Sequence, residues 1–381
     1  MTNYQEMEDQ IKGQRVFIET QVQAIVRQLL SNVGLVEVKR APKIYLVGCG
    51  DSWCAAIAAR MAFEKYAQIE TEALHALEFS RYKLGSAPRN ALLFAVSSSG
   101  EVVRTVEAAR LARQKGLYVI ALTRNPESSL AKQSNLALHI AVPSHGRPMP
   151  GVLSYVGSLL GLYLAAVYFS EVRRVIDHPE ADELYQNIQS VGMQNEQTYQ
   201  KNAPLISQLV DRTAGQGLYQ ILGSGPNYGT SLYGCMKLLE AAAEPSLCYG
   251  IEEWAHAGFF LTNPGTPMLL IAPRGKSFDR AMEIAHAAMA SKATVAIISN
   301  AEEQQVASDG VIFIPVEGPV MEEFTPLGCA VPLQLLALEM ARRKQTTPFG
   351  FANSHRQQLN HDQIFRSKQL LSLQDLDPAQ S

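Results

Sequence analysis

The sequence predicts an α/β protein built from two tandem units, each a parallel sheet covered by helices on both faces. Three observations predict it. Short apolar runs alternate with segments of helical period, which is the pattern of repeated βαβ units. Runs such as Ala91-Leu92-Leu93-Phe94-Ala95-Val96 lack polar alternation, as strands buried on both faces require. Finally, a strand running into Gly48-Cys49-Gly50 is echoed 175 residues later by one running into Gly223-Ser224-Gly225. One unit is therefore duplicated.

Taken in order, residues 4–31 read as leading helices, with Met7, Ile11, Val16, Ile18, Val22, Ile25, Val26 and Leu29 forming an apolar stripe broken near Gly13. Neither repeat obviously needs that stripe, so burial against a second subunit is expected, the alternative being packing on the same chain. Residues 43–47 form the first strand, followed by a helix to Tyr66, and residues 69–75 the second. The 91–96 strand leads to a helix ending at Gln114; strands follow at 117–123 and 136–142. Residues 171–200 are more charged, carry Pro179 and read as a helical linker. The pattern then restarts, with strands at 218–222, 268–272 and 295–299.

Composition narrows the function. A chain of 381 residues, 47% hydrophobic and 18% charged, can build two domains with their own cores. Its formal charge of −3 argues against a non-specific nucleic-acid binder. Cys49, Cys54, Cys235, Cys248 and Cys329 show neither paired metal-ligand spacing nor a disulfide framework, so no metal and no cofactor is expected. The polar start shows no apolar signal region. The most hydrophobic run, 152–169, is interrupted by Ser154, Tyr155, Gly157, Ser158 and Tyr163 and reads as a buried core helix. A cytoplasmic protein without membrane association is expected.

The chemistry concentrates where strands end. In parallel sheets ligands bind outside the carboxyl ends of the strands. Ser97-Ser98-Ser99-Gly100-Glu101 sits there, between the 91–96 strand and a helix. Unpaired N–H groups, three hydroxyls and a glycine suit a tetrahedral anion; a plain serine cap is the alternative. The corresponding stretch of the second copy is Pro273-Arg274-Gly275-Lys276-Ser277, where proline removes a donor. One anion site per chain is therefore expected, although Arg274 and Lys276 leave a solvated basic turn or a weaker site open there. Further on, Lys237 and Glu240 share a helix face in apolar surroundings, and His256 follows 16 residues after Glu240. A carboxylate and an imidazole suit proton transfer next to a sugar carbonyl.

The two-copy layout, Cys49-Gly50-Asp51-Ser52, the serine run, Gly151-Val152, Lys237-Leu238-Leu239-Glu240 and His256 together resemble the SIS (sugar isomerase) family. The likeness is strongest to the isomerase half of glucosamine-6-phosphate synthase and to stand-alone sugar-phosphate isomerases, deaminases and deglycases, over about residues 35–345. The resemblance implies two tandem SIS domains, each a flavodoxin-like three-layer αβα sandwich. It implies N-terminal helices at 1–34, domains at 35–175 and 201–345, a linker at 176–200 and a tail at 346–381.

By the same resemblance, Gly50, Ser52, Ser97, Ser98 and Ser99 bind a sugar phosphate or similar 6-anion such as a sulfonate, and Val152 touches the sugar. Glu240 moves a proton between C1 and C2, Lys237 polarises the sugar oxygens, and a partner subunit's histidine, corresponding to His256, assists ring opening in a homodimer with shared active sites. The implied activity is aldose–ketose isomerisation, with or without loss of a C2 amine; a phosphorylated-fructosamine deglycase and a non-catalytic sensor are the alternatives. Val102 replaces the family's phosphate-binding threonine, leaving Thr105 as its substitute. Tyr155-Val156 replaces a turn lysine, and the usual His-Gly-Pro reads His256-Ala257-Gly258. The family's glutaminase domain has no counterpart, so glutamine-dependent amination is not expected. A C-terminal lysine that meets the open-chain sugar has no clean match: Lys368 or His361 is the candidate, unless the tail frays.

Overall fold

A computed structural model describes residues 3–143, 149–306, 310–318, 321–350, 353–368, 370–372 and 374–376. Among the described residues, ten strands form two five-stranded parallel sheets. The first contains β1 (Lys43–Gly48), β2 (Glu70–His75), β3 (Leu92–Val96), β4 (Tyr118–Thr123) and β5 (Leu136–His139) in the order β2-β1-β3-β4-β5. The second contains β6 (Tyr219–Gly223), β7 (Ser246–Gly250), β8 (Pro267–Ile271), β9 (Thr294–Ser299) and β10 (Ile312–Pro315) in the order β7-β6-β8-β9-β10. Both orders read 2-1-3-4-5 within their own copy, the flavodoxin-like doubly wound arrangement.

The chain groups into two units. One takes in residues 20–143, 154–186 and 351–381, the other residues 1–19, 144–153 and 187–350. The helices read as leader and linker are thus divided between the units.

In the first unit, Leu93 and Ala95 of β3 pack with Ala108, Ala109, Leu111 and Ala112 of the Val103–Lys115 helix. Phe94, one residue out of phase, meets Phe63 and Phe169 at 5.6 and 5.7 Å between ring centroids on the other face. That is why β3 shows no polar alternation. The second unit repeats the scheme: Leu269 and Ile271 face a core with Leu238 and Leu336, while Met268 and Leu270 face one with Ile284 and Ala288. Among the described residues two helices, Leu153–Val172 and Glu322–Lys344, are long and apolar enough to cross a membrane, but both are almost wholly buried in the fold.

Several elements differ from the expectation. The apolar stripe of the leading helices, Asn3–Lys12 and Gln14–Asn32, is covered by its own chain: Met7, Ile11, Ile18, Val22, Ile25 and Leu29 are buried, and only Val16 of that set is strongly exposed. The stripe is therefore no vacant dimer face. The linker is one helix, His178–Thr213, because Pro179 falls in its first turn, where no intrahelical N–H bond is lost. β5 stops at His139, since the Val142 amide turns back to the Ile140 carbonyl at 2.8 Å. β7 and β10, which the sequence reading passed over, complete the second sheet.

Candidate active site

In the first unit, the β1 and β3 carboxyl ends lie side by side, with Gly48 in register with Val96. The chain leaves the sheet in opposite directions from these two strands, which is where ligands of such sheets bind. Gly48 is needed here: a Cβ would lie 2.8 Å from the Ser52 Cβ. Gly50 adopts φ 56°, and Gly225 of the second copy adopts φ 57°, so the duplicated turn keeps its backbone. The register brings the turn that holds Gly50 and Ser52 and the loop that holds Ser97, Ser98 and Ser99 to the same end of adjacent strands, and Ser52, Ser98 and Ser99 are part-exposed.

The serine run is a loop and not the first turn of a helix, because the helix begins at Val103. Gly100, at φ 70°, turns the chain, and its amide donates to the Ser97 carbonyl at 3.0 Å. The Ser97 amide is spent on Leu122 and the Glu101 amide on the Ser99 hydroxyl, at 3.0 and 3.2 Å. Ser98 is held through its carbonyl, which accepts from the Arg124 amide and the Thr123 hydroxyl. Thr105 does not replace the missing threonine. It is fully buried and its hydroxyl donates to the Cys49 sulfur at 3.8 Å, while burial pushes that thiol's pKa up.

The tail bears on the same unit. The Ser354–Phe365 helix is capped by the Asn353 side chain, and His361 sits on it, exposed beside Phe365. Beyond it Ser367 meets the Arg104 guanidinium, and Leu371 donates its amide to the buried Glu107 carboxylate at 2.6 Å. Lys368 therefore stands next to the first turn of the helix that follows the serine loop.

In the second unit, Lys237 and Glu240 are hydrogen-bonded on the Asn227–Ala242 helix. The Lys237 side chain is 0% exposed and that of Glu240 28%, so a buried ammonium backs a carboxylate that still reaches the surface. The Lys237 ammonium lies 5.2 Å from the centroid of the Tyr233 ring, one turn earlier. Tyr233 donates its hydroxyl to the Gly151 carbonyl at 2.8 Å and accepts from Gln334 at 3.1 Å; Gln334 in turn accepts from Gln14 at 2.7 Å. This buried chain fixes the Gly151-Val152 turn, with Val152 wholly buried, against the helix bearing Lys237 and Glu240. Sequence reasoning missed Tyr233 and Gln334; the Tyr-x-x-x-Lys spacing was the available signal.

His256 is elsewhere in this unit. It ends the short Ile251–His256 helix that follows the carboxyl end of β7, and its side chain is 71% exposed, 3.8 Å from Glu252. Glu240 lies 13 residues along a helix that starts at the carboxyl end of β6, about 20 Å down its axis. Glu240 and His256 thus lie at opposite ends of two neighbouring strands, Glu240 toward the amino ends and His256 at the carboxyl end of β7. Trp254 is buried, and its indole N–H donates to Gln220 at 2.8 Å, anchoring the His256 helix to β6. Among the described residues no group of three or more His, Cys, Asp or Glu side chains is placed to hold a metal ion.

Residues 37–168 match the SIS domain. The chain is 27% identical over 316 residues to the glutamine–fructose-6-phosphate aminotransferase (isomerizing) of Clostridium tetani, covering 81% of this chain and 50% of that protein. Against the Zymomonas mobilis protein of that name it is 26% identical over 353 residues, 89% of this chain and 56% of that one. The chain thus spans about half the length of these curated relatives. Among solved structures, the C-terminal domain of glucosamine-fructose-6-phosphate aminotransferase from Francisella tularensis superposes with a TM-score of 0.79 at 19% identity, covering 89% of this chain and 96% of that one. Glucosamine-6-phosphate deaminase from Thermotoga maritima gives 0.69 at 18%, covering 90% and 96%. These likenesses establish the fold.

Proposed function

We propose that both copies are SIS domains and that the chain is an aldose–ketose isomerase acting on a 6-phosphorylated or similarly 6-anionic sugar, with or without release of a C2 amine. One observation carries the reading: a fully buried lysine ammonium backs a part-exposed glutamate on a helix pinned to the Gly151-Val152 turn. In water such a pair would be an ordinary surface bridge, but here the charge is held in place before any substrate arrives. Glu240 takes the proton from C2 of the open-chain aldose and returns it to C1. Lys237 stabilises the negative charge that develops on the sugar oxygens. Ser52, Ser98 and Ser99 hold the anion at C6 and Lys368 meets the open chain. The relatives' names, which include isomerisation, support this assignment.

We also propose a homodimer in which the partner subunit contributes its copy of His256 for ring opening. The support is that Glu240 and His256 lie at opposite strand ends of one sheet, and that Phe259, Phe260 and Leu261 beside His256 are exposed apolar residues. The test of the chemistry is solvent deuterium entering C2 of 6-phosphorylated sugars. The native protein exchanges it, and Glu240→Gln slows exchange roughly 10²–10⁴-fold, the usual contribution of a general base, while still binding the sugar phosphate. No exchange with any 6-anionic sugar would overturn the isomerase reading and leave the deglycase and sensor readings, which product analysis with a phosphorylated fructosamine separates.

A further inference from the structure

The loop of the second unit that corresponds to the serine loop spans residues 272–277, after β8. Its backbone is already engaged with an anion. The Lys276 amide donates to both carboxylate oxygens of Glu322, at 3.3 and 3.2 Å. A Cβ on Gly275 would fall 2.3 to 2.8 Å from the carbon and oxygens of that carboxylate, so the group sits directly against the glycine backbone. The Arg274 amide is taken by Asn300 at 2.8 Å, and its guanidinium turns to Glu302 and Gln305. Glu322 opens the Glu322–Phe324 turn that leads into the Pro326–Lys344 helix. Thr325, just beyond it, donates to the Glu322 carbonyl at 2.7 Å and accepts from Asn227 at 2.8 Å.

We infer that the 272–277 loop is an anion site whose occupant is the chain's own Glu322 carboxylate. A carboxylate and a phosphate ask the same of a backbone cradle: convergent N–H groups, nearby positive charge and no side chain in the way. The duplicated fold supplies the loop twice. In the first copy hydroxyls line it and part of it stays open; in the second, Lys276 and Gly275 close on an internal acid. The second copy therefore takes no phosphate from solution, and its loop instead fastens the segment between β10 and the Pro326–Lys344 helix. Removing the carboxylate should expose a site for inorganic phosphate.

Equilibrium dialysis of the full chain against radiolabelled inorganic phosphate tests this. Glu322→Ala should bind one more phosphate per chain than the native protein. Glu322→Gln, which keeps the side chain's shape and removes its charge, should also gain one, more weakly, and serves if the alanine variant fails to fold. The gain should vanish in Glu322→Ala/Gly275→Ala, where a methyl group fills the cradle. A folded Glu322 variant that gains nothing overturns the inference, as does a gain that survives the glycine replacement. The serine loop is tested separately by the same data: native protein that binds no phosphate, with variants that bind one, removes the first-copy site and leaves this one standing.

Discussion

At the residue scale the candidate site depends on a few positions whose neighbours leave no choice. Gly100 combines φ 70° with a close approach: a Cβ would lie 2.2 Å from the Ser128 hydroxyl and 2.9 Å from that of Thr123. Those groups belong to the next turn, where the Ser128 hydroxyl accepts from the Ala131 amide at 3.3 Å. Gly100→Ala is expected to destabilise the chain by about 1–3 kcal/mol and to weaken sugar-phosphate binding, since Ser98 and Ser99 share the displaced loop. Thermal unfolding and a phosphate-ester titration measure the two effects. Unchanged affinity in a folded variant would remove the serine loop from the binding site. Tyr233 shows the same dependence in another form, since its ring faces Lys237 while its hydroxyl holds Gly151.

At the element scale the tail is tied to the Val103–Lys115 helix through one buried carboxylate. Glu107 accepts from the Leu371 amide at 2.6 Å and from Arg104 at 2.8 Å, with Arg81 at 3.7 Å; its side chain is inaccessible to solvent. Leu371 packs on the apolar core of the first sheet, and its carbonyl accepts from Arg110 at 2.5 Å. Replacing the acid leaves Arg104 and Arg81 facing a neutral group and loosens the strap. Glu107→Gln should therefore speed hydrogen exchange at the Leu371 amide at least tenfold and open residues 366–372 to protease, with the sheet amides unchanged. Protection equal to the native protein's would show that apolar packing alone seats the tail. If Lys368 meets substrate, the same variant raises KM more than it lowers kcat.

At the scale of the whole molecule the question is how many chains make one site. Glu240 and His256 fall at opposite strand ends of a single sheet, so one copy of that sheet does not bring them to one sugar. Mixing Glu240→Ala chains with His256→Ala chains, each inactive alone, should restore activity, because a hybrid dimer carries one site with both residues native. With exchange of subunits confirmed, no recovery would mean that each chain completes its own site. The leading helices do not bear on this, since their apolar stripe is buried at home.

The sequence by itself determined what is local and periodic. The runs that became β1, β3, β4, β6, β8 and β9 were legible because both of their faces are buried, which leaves an unbroken apolar signature. The glycine turns and their repetition were legible for a like reason: Gly48 and Gly223 permit a close backbone approach that no other residue does. The four edge strands are part-exposed and carry a weaker signature: β2 and β5 were still legible from their place in the alternation, β7 and β10 were not. Only the tertiary structure decided which polar groups are already spoken for. Thr105 turned inward to Cys49, Trp254 became a core anchor, Glu322 entered the second loop and Glu107 took the tail, each through a partner 34 or more residues away. Such pairings have no periodicity, because they are chosen by the sheet that brings distant turns together.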